Sequence, residues 1–179
     1  TMKLPRPFAP VALAIAVAAA PAHAVLQPGD EAPDFTVPAA LGGEPFTFSL
    51  AEALSKGPVV LYFYPKAFTS GCTIEAKAFA DATPRFRELG ATVIGVSSDD
   101  IETLRRFSVE ACRNEFPVAA DEQSEVIKAY DAAGTFFRNM AARVSYVIDP
   151  SGKIVYTHDS MNPEGHVTHT LEAVEKLRR

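Results

Sequence analysis

Six apolar residues, Val59-Val60-Leu61-Tyr62-Phe63-Tyr64, stand between Pro58 and Pro65. A half-exposed strand alternates apolar and polar residues, because successive side chains point to opposite faces. This run does not alternate, so the strand it forms is expected to be covered on both faces. Such a strand belongs at the centre of a sheet with helices on either side. Pro65 has no N–H to offer a ladder and ends it.

The flanking sequence supplies the other layers. Within Thr73 to Leu89, Ile74, Ala78, Phe79, Ala82 and Phe86 recur at helical spacing, and Gly90 is the stop. Pro84 lies inside this stretch, so a kink or break is expected there. Thr92 to Ser97 reads as a second apolar strand. Asp99 or Asp100 can cap a helix with Ile101, Leu104, Phe107 and Ala111 inward. Phe116 to Ala120 is a short strand, Ser124 to Ala132 a short helix and Val144 to Ile148 another strand. Pro150-Ser151-Gly152 turns that strand into Lys153 to Thr157 as a hairpin, and Val167 to Leu177 closes as an amphipathic helix. Ahead of the central run, Gln27 to Phe35 is turn-rich, and Leu41-Gly42-Gly43-Glu44 is a tight turn between short extended pieces. Alternating strands and helices predict an α/β domain with a mostly parallel centre and an antiparallel edge. No repeat, low-complexity tract or second domain is visible.

The first 24 residues read differently. Lys3 and Arg6 give a basic start, Phe8 to Ala20 is apolar and uncharged, and Pro21-Ala22-His23-Ala24 is a small-x-small ending. These are the parts of a secretory signal peptide. The apolar run is shorter than the roughly 20 residues a membrane span needs. Residues 1–24 are thus expected to be a signal peptide cleaved after Ala24, with an uncleaved amphipathic anchor as the other reading. Residues 25–179 are expected to be one soluble domain, exported and periplasmic. Cleavage removes two positive charges and no acid, so the formal charge moves from −5 to −7. An acidic domain argues against nucleic acid, whose phosphates need a basic face. No second apolar run is long enough to hold the domain in a membrane.

The two cysteines are Cys72 and Cys112. An oxidising compartment lets them pair, either structurally or in catalysis. Cys72 follows the loop Pro65-Lys66-Ala67-Phe68-Thr69-Ser70-Gly71, between a buried strand and a helix. Ligands gather at the carboxyl ends of strands in such sheets. In a first helical turn, unpartnered N–H groups and the helix dipole both favour a thiolate, which is the nucleophilic form. Thr69, three residues earlier, has a hydroxyl able to reach the thiolate or a bound oxygen. The other reading of Cys72 is a small buried hydrophobe.

The segment Tyr62 to Thr73 resembles the active-site loop of the peroxiredoxins, and most of all their bacterioferritin-comigratory, or Q-type, subgroup. The family pattern is Pro, then Thr or Ser, then Cys, at the spacing of Pro65, Thr69 and Cys72. Gly29 to Phe35, Val93 to Asp99 and Arg143 to Gly152 resemble further family motifs in the same order. The resemblance implies a thioredoxin-like fold, a central mixed sheet flanked by helices. It implies that Cys72 attacks peroxide, Thr69 orients it, Arg143 adds positive charge and Pro65 shields the thiolate from water. The bland reading of Arg143 is a solvated charge at a strand edge. The implied partners are peroxides and a thioredoxin-like reductant, with no cofactor and no metal, in a monomer or weak dimer.

The oxidised sulfur would be a sulfenic acid, condensing with a second thiol to a disulfide. Many relatives place that thiol five residues on, where this chain has Lys77. Cys112 is the remaining candidate, with a structural Cys72–Cys112 disulfide and an inert buried thiol as the other readings. Thiol–disulfide exchange or redox sensing on the same fold is the competing function. Exchange usually shows Cys-x-x-Cys, whereas Glu75 stands three after Cys72. A copper module wants paired thiols close in sequence, which are absent. His166 and His169 have a metal-compatible spacing but no third ligand nearby, and read as a solvated pair.

Overall fold

A computed structural model of the chain describes residues 25–134 and 139–178. The signal-peptide reading of residues 1–24 lies outside the described residues. The described residues form one α/β unit around a seven-stranded sheet. In chain order its elements are β1 (Thr36–Leu41), β2 (Glu44–Ser49), α1 (Leu50–Leu54), β3 (Val59–Phe63), α2 (Ser70–Glu88) and β4 (Thr92–Ser97). There follow α3 (Ile101–Glu110), β5 (Val118–Ala120), α4 (Glu125–Ala129), β6 (Val144–Ile148), β7 (Ile154–Asp159) and α5 (His166–Leu177). The strand order is β2-β1-β5-β4-β3-β6-β7.

The non-alternating run forms β3, near the middle of the sheet, with every residue buried. Its period of two divides it between two cores. Val60, Tyr62 and Tyr64 join Phe79, Phe86, Phe107 and Val174 on the face covered by α2, α3 and α5. Val59, Leu61 and Phe63 join Phe35, Val126, Tyr130 and Tyr146 on the other. β3 is parallel to β4, and β4 to β5. β6 is antiparallel to β3, with Phe63 opposite Val144. This register sets the start of β6 beside the exit of β3. β6 and β7 form the expected hairpin, with a register shift at Val147/Ile148. A second antiparallel edge, β1–β2, turns at Gly42 and Gly43, whose positive φ angles suit glycine.

Several boundaries differ from expectation, each for a local reason. β3 is counted to Phe63, yet the Tyr64 N–H still donates to the Val96 carbonyl at 3.1 Å. α2 begins three residues earlier than the apolar spacing suggests. Its buried face is Cys72, Glu75, Ala76, Phe79, Ala80, Thr83 and Phe86, so Ile74 is exposed. α2 also runs unbroken past Pro84, which lies on the exposed side. Asp100, not Asp99, caps α3, accepting from the Thr103 N–H at 2.8 Å.

Tyr62 is the tightest point of the core. It stacks on Phe79 with centroids 4.4 Å apart and meets Phe116 edge-on. Its ring fits only because residue 95 on β4 is glycine. A Cβ there would lie 2.7–2.9 Å from three Tyr62 atoms. Gly95→Ala is therefore expected to lose about 1–3 kcal/mol to overpacking, measured by urea unfolding. An unchanged midpoint would show that the ring moves aside at no cost.

Candidate active site

The site lies where β3 ends and α2 begins. Between them Pro65 to Thr69 crosses the edge of the sheet, and two anchors hold this loop. The Ala67 N–H donates to Asp99 Oδ2 at 2.7 Å, and the Ser97 hydroxyl donates to the same oxygen at 2.9 Å. Asp99, released from capping α3, thus ties the loop to the end of β4. Phe68 takes a left-handed φ of 64°, a conformation costing a non-glycine residue about 1–3 kcal/mol. Its ring is held edge-on against Phe107, with the Arg106 guanidinium 5.3 Å from its centroid.

Thr69 is the N-cap of α2 in extended conformation, and its carbonyl accepts from the Thr73 N–H at 2.9 Å. Its hydroxyl donates to the Lys66 carbonyl at 2.9 Å, leaving oxygen lone pairs free to accept. Pro65 is half-buried at the head of the loop. Cys72 falls in the first turn of α2, as expected, and is buried.

Arg143 immediately precedes β6, so the β3–β6 register carries it to the same corner. It is 4% exposed, which removes the solvated reading. Nη2 donates to Cys72 Sγ at 3.5 Å, Nη1 to Glu75 Oε2, and Nε to the Met161 carbonyl at 3.1 Å. Room for this depends on Gly71, where a Cβ would lie 3.0 Å from Nη2. Glu75 is fully buried one turn beyond Cys72. Burial pushes its carboxyl up to about 7, against the pull of Arg143.

His166 corrects the reading of a solvated pair. Gly165, at a φ of 95°, opens α5 at His166 and turns it inward, where it is fully buried. Its Nδ1 is 2.7 Å from the Ser145 hydroxyl, and its Nε2 is 2.9 Å from the Ser160 carbonyl. Burial pulls the imidazole down to about 4. His169 stays exposed. Among the described residues no three of His, Cys, Asp and Glu are placed to hold a metal ion.

Cys112 lies two residues past α3 rather than within it, and both cysteines are free thiols. They share the apolar cluster that contains Tyr62, Tyr64 and Phe107. Burial pushes the Cys112 thiol far above its ordinary range. Arg113 and Asn114, just after it, both take left-handed φ angles.

The structure thus brings Cys72, Thr69, Pro65 and Arg143 to one corner and keeps Cys112 buried on the same side of the sheet. Sequence reasoning missed Glu75, Gly71, Asp99 and the inward turn of His166. Glu75 was the detectable one, because an acid three residues after Cys72 falls on the same helix face.

The AhpC/TSA family pattern matches residues 28–157. The chain is 36% identical over 132 residues to the chloroplastic peroxiredoxin Q of Triticum aestivum, covering 73% of this chain and 60% of that protein. It is 35% identical over 153 residues to the chloroplastic peroxiredoxin Q of Oryza sativa subsp. japonica, covering 83% and 67%. The fold superposes on that of peroxidoxin BcpB from Mycobacterium tuberculosis with a TM-score of 0.77 at 31% identity, covering 86% of this chain and 99% of that one. The chain belongs to the AhpC/TSA family. Within it, the likeness is to the peroxiredoxins of the Q, or bacterioferritin-comigratory, type, and the sheet flanked by helices is their thioredoxin-like fold.

Removing one partner of a buried ion pair leaves the other charge uncompensated. Glu75→Ala is expected to destabilise the protein by about 3–5 kcal/mol in urea unfolding. A loss no larger than that of an exposed pair, about 1 kcal/mol or less, would mean that Arg143 needs no carboxylate.

Proposed function

We propose that this chain is a thiol peroxidase whose nucleophile is Cys72. The observation that carries the reading is the Arg143 Nη2 contact with Cys72 Sγ at 3.5 Å, in the first turn of a helix. The guanidinium cannot be deprotonated at working pH, and the helix N-terminus adds partial positive charge. Both stabilise negative charge on sulfur.

The Cys72 thiolate attacks the terminal oxygen of a hydroperoxide. An S–O bond forms and the O–O bond breaks. Sulfur is oxidised to the sulfenic acid, and the departing alkoxide or hydroxide takes up a proton to become alcohol or water. Charge builds on the departing oxygen, where fixed donors lower the barrier. Arg143 supplies such a donor. Thr69 orients the peroxide as an acceptor for its O–H, because its own hydrogen is committed to Lys66. Pro65, at the head of the loop, limits water at the sulfur.

Cys112 then resolves the sulfenic acid. Its thiol sulfur displaces oxygen from Cys72 as water, leaving an intramolecular disulfide. A thioredoxin-like dithiol returns the pair to thiols and is itself oxidised. Both cysteines are buried, so resolution needs local opening. The left-handed Arg113 and Asn114 mark a turn with strain to release. The same chemistry suits an exported monomer or weak dimer recycled by an exported donor, with residues 1–24 as its leader. Thiol–disulfide exchange without peroxide chemistry is the reading it displaces.

Reduced protein treated with hydrogen peroxide should lose free thiols rapidly and stoichiometrically. Loss no faster than that of free cysteine would sink the peroxidase reading. Cys72→Ser is expected to abolish turnover. Arg143→Ala should slow sulfenic acid formation about 10²–10³-fold, the scale of losing one oxyanion donor. Cys112→Ser should accumulate the Cys72 sulfenic acid, visible by mass as one added oxygen, and form no intramolecular disulfide. Undiminished turnover of that variant with a thioredoxin-type reductant would give Cys112 another role.

A further inference from the structure

Behind Arg143, the buried Glu75 carboxyl has an oxygen with no hydrogen-bond partner. Glu75 Oε2 pairs with Arg143, but Oε1 accepts no hydrogen bond although it is sealed from water. Leaving such an atom unsatisfied is costly. His166 Nδ1 faces it at 3.6 Å.

The tautomer of His166 follows from its other partner. The Ser160 carbonyl can only accept, so Nε2 carries the ring hydrogen. Nδ1 then has one lone pair, which accepts from the Ser145 hydroxyl, a rotor that can turn away. Two acceptors, a carboxylate oxygen and an imidazole nitrogen, therefore face each other inside the protein. A small torsion brings them to hydrogen-bond length, and one proton satisfies both.

We propose that Glu75 and His166 hold a single exchangeable proton between Oε1 and Nδ1, and that this proton sets how much of the Arg143 charge is available to Cys72. His166 acts as a positioning residue through Glu75. The inference rests on Cys72 being the reactive thiol. With the proton in place the pair is neutral, and Cys72 is the anion that answers Arg143. Without it, the Glu75 carboxylate neutralises Arg143, and a thiolate there meets no net positive charge. The internal exchange is balanced: a Cys72 thiol and a Glu75 carboxylate become a Cys72 thiolate and a Glu75 carboxylic acid.

The shifts agree in direction, since burial raises Glu75 and lowers His166. The proton therefore resides chiefly on the carboxyl. The other charged or titratable groups facing the pair are Arg143 ahead of β6, Cys72 on α2, Tyr62 on β3, His158 on β7, and His169 on α5 itself. His158 meets the His166 ring edge-on at 4.5 Å. Both histidines disfavour a positive charge on His166, which again leaves the proton to Glu75.

The test is the pH profile of Cys72 alkylation by iodoacetamide, read peptide by peptide by mass. The probe reports the thiolate whether or not peroxide is turned over. Failure of the peroxidase reading appears instead in the peroxide assay. Glu75→Gln removes the competing carboxylate, so half-maximal alkylation should move to lower pH. His166→Gln replaces the imidazole nitrogen with an amide whose N–H can donate to Oε1 and so favours the ionised carboxylate, so the same point should move to higher pH. Each shift should be about one pH unit, or tenfold in thiolate at fixed pH. The double variant should follow Glu75→Gln, because His166 works only through Glu75.

A merely structural role would move both single variants the same way, or neither, and either result overturns the proposal. Should His166→Gln fail to fold, wild-type NMR decides. The Glu75 side-chain carboxyl carbon and His166 Nδ1 are expected to titrate together, in one step near neutral pH. Independent titrations overturn the shared proton.

Discussion

The buried guanidinium of Arg143 is the interaction on which the rest of this site depends. Taking an arginine out of water is unfavourable unless its donors and charge are answered. Three partners from two places answer it: Cys72, Glu75 and the Met161 carbonyl. The first two lie on α2 and the third in the segment leading to α5. One side chain thereby ties the start of β6 to the first two turns of α2 and to the approach of the last helix. Gly71 is part of the same constraint, because any larger residue would enter the space of Nη2.

The sheet delivers this side chain without a dedicated scaffold. Antiparallel pairing of β3 and β6 sets Val144 opposite Phe63, so the residue before Val144 stands at the exit of β3. Alternation along β6 then turns Ser145 toward His166 and Tyr146 into the opposite core. The next strand along contributes as well. Ser97 and Asp99, at the end of β4, hold the loop that carries Thr69. The reactive corner is thus made from the ends of three adjacent strands, and the buried run of β3 fixes its depth.

These relations explain which features are legible in the chain. β3 and the first-turn position of Cys72 depend on neighbours in sequence, and local pattern reveals them. Arg143 is far from Cys72 in sequence, and only family resemblance singled it out. His166 was passed over because its burial is decided by the packing of α5 against β6, not by any local period. Ile74 misled for the same reason: its spacing fits an apolar face, but the sheet selected the face containing Cys72 and Glu75. Pro84 suggested a break that its exposed position made unnecessary. Asp99 and Asp100 look equivalent as caps, and only the loop's need for an acceptor at Ala67 assigns them separate tasks.

If Cys72 is the peroxide-attacking thiol that we propose, the same interaction bears on how the site changes on oxidation. Arg143 faces two acceptors on α2, one turn apart, and they differ in kind. The Glu75 contact involves no sulfur, and its carboxyl stays beside the guanidinium when Cys72 is oxidised. The Cys72 contact depends on negative charge at Sγ, and a sulfenic acid is neutral at the oxidised sulfur. Conversion therefore weakens the hold on the first turn of α2 while the second turn stays anchored. Thr69 offers that first turn no side-chain cap. Cys112 is immersed in the same apolar cluster, beside a turn built from two left-handed residues. On that reading, the segment that opens is the one carrying the oxidised sulfur, together with the turn carrying the second thiol.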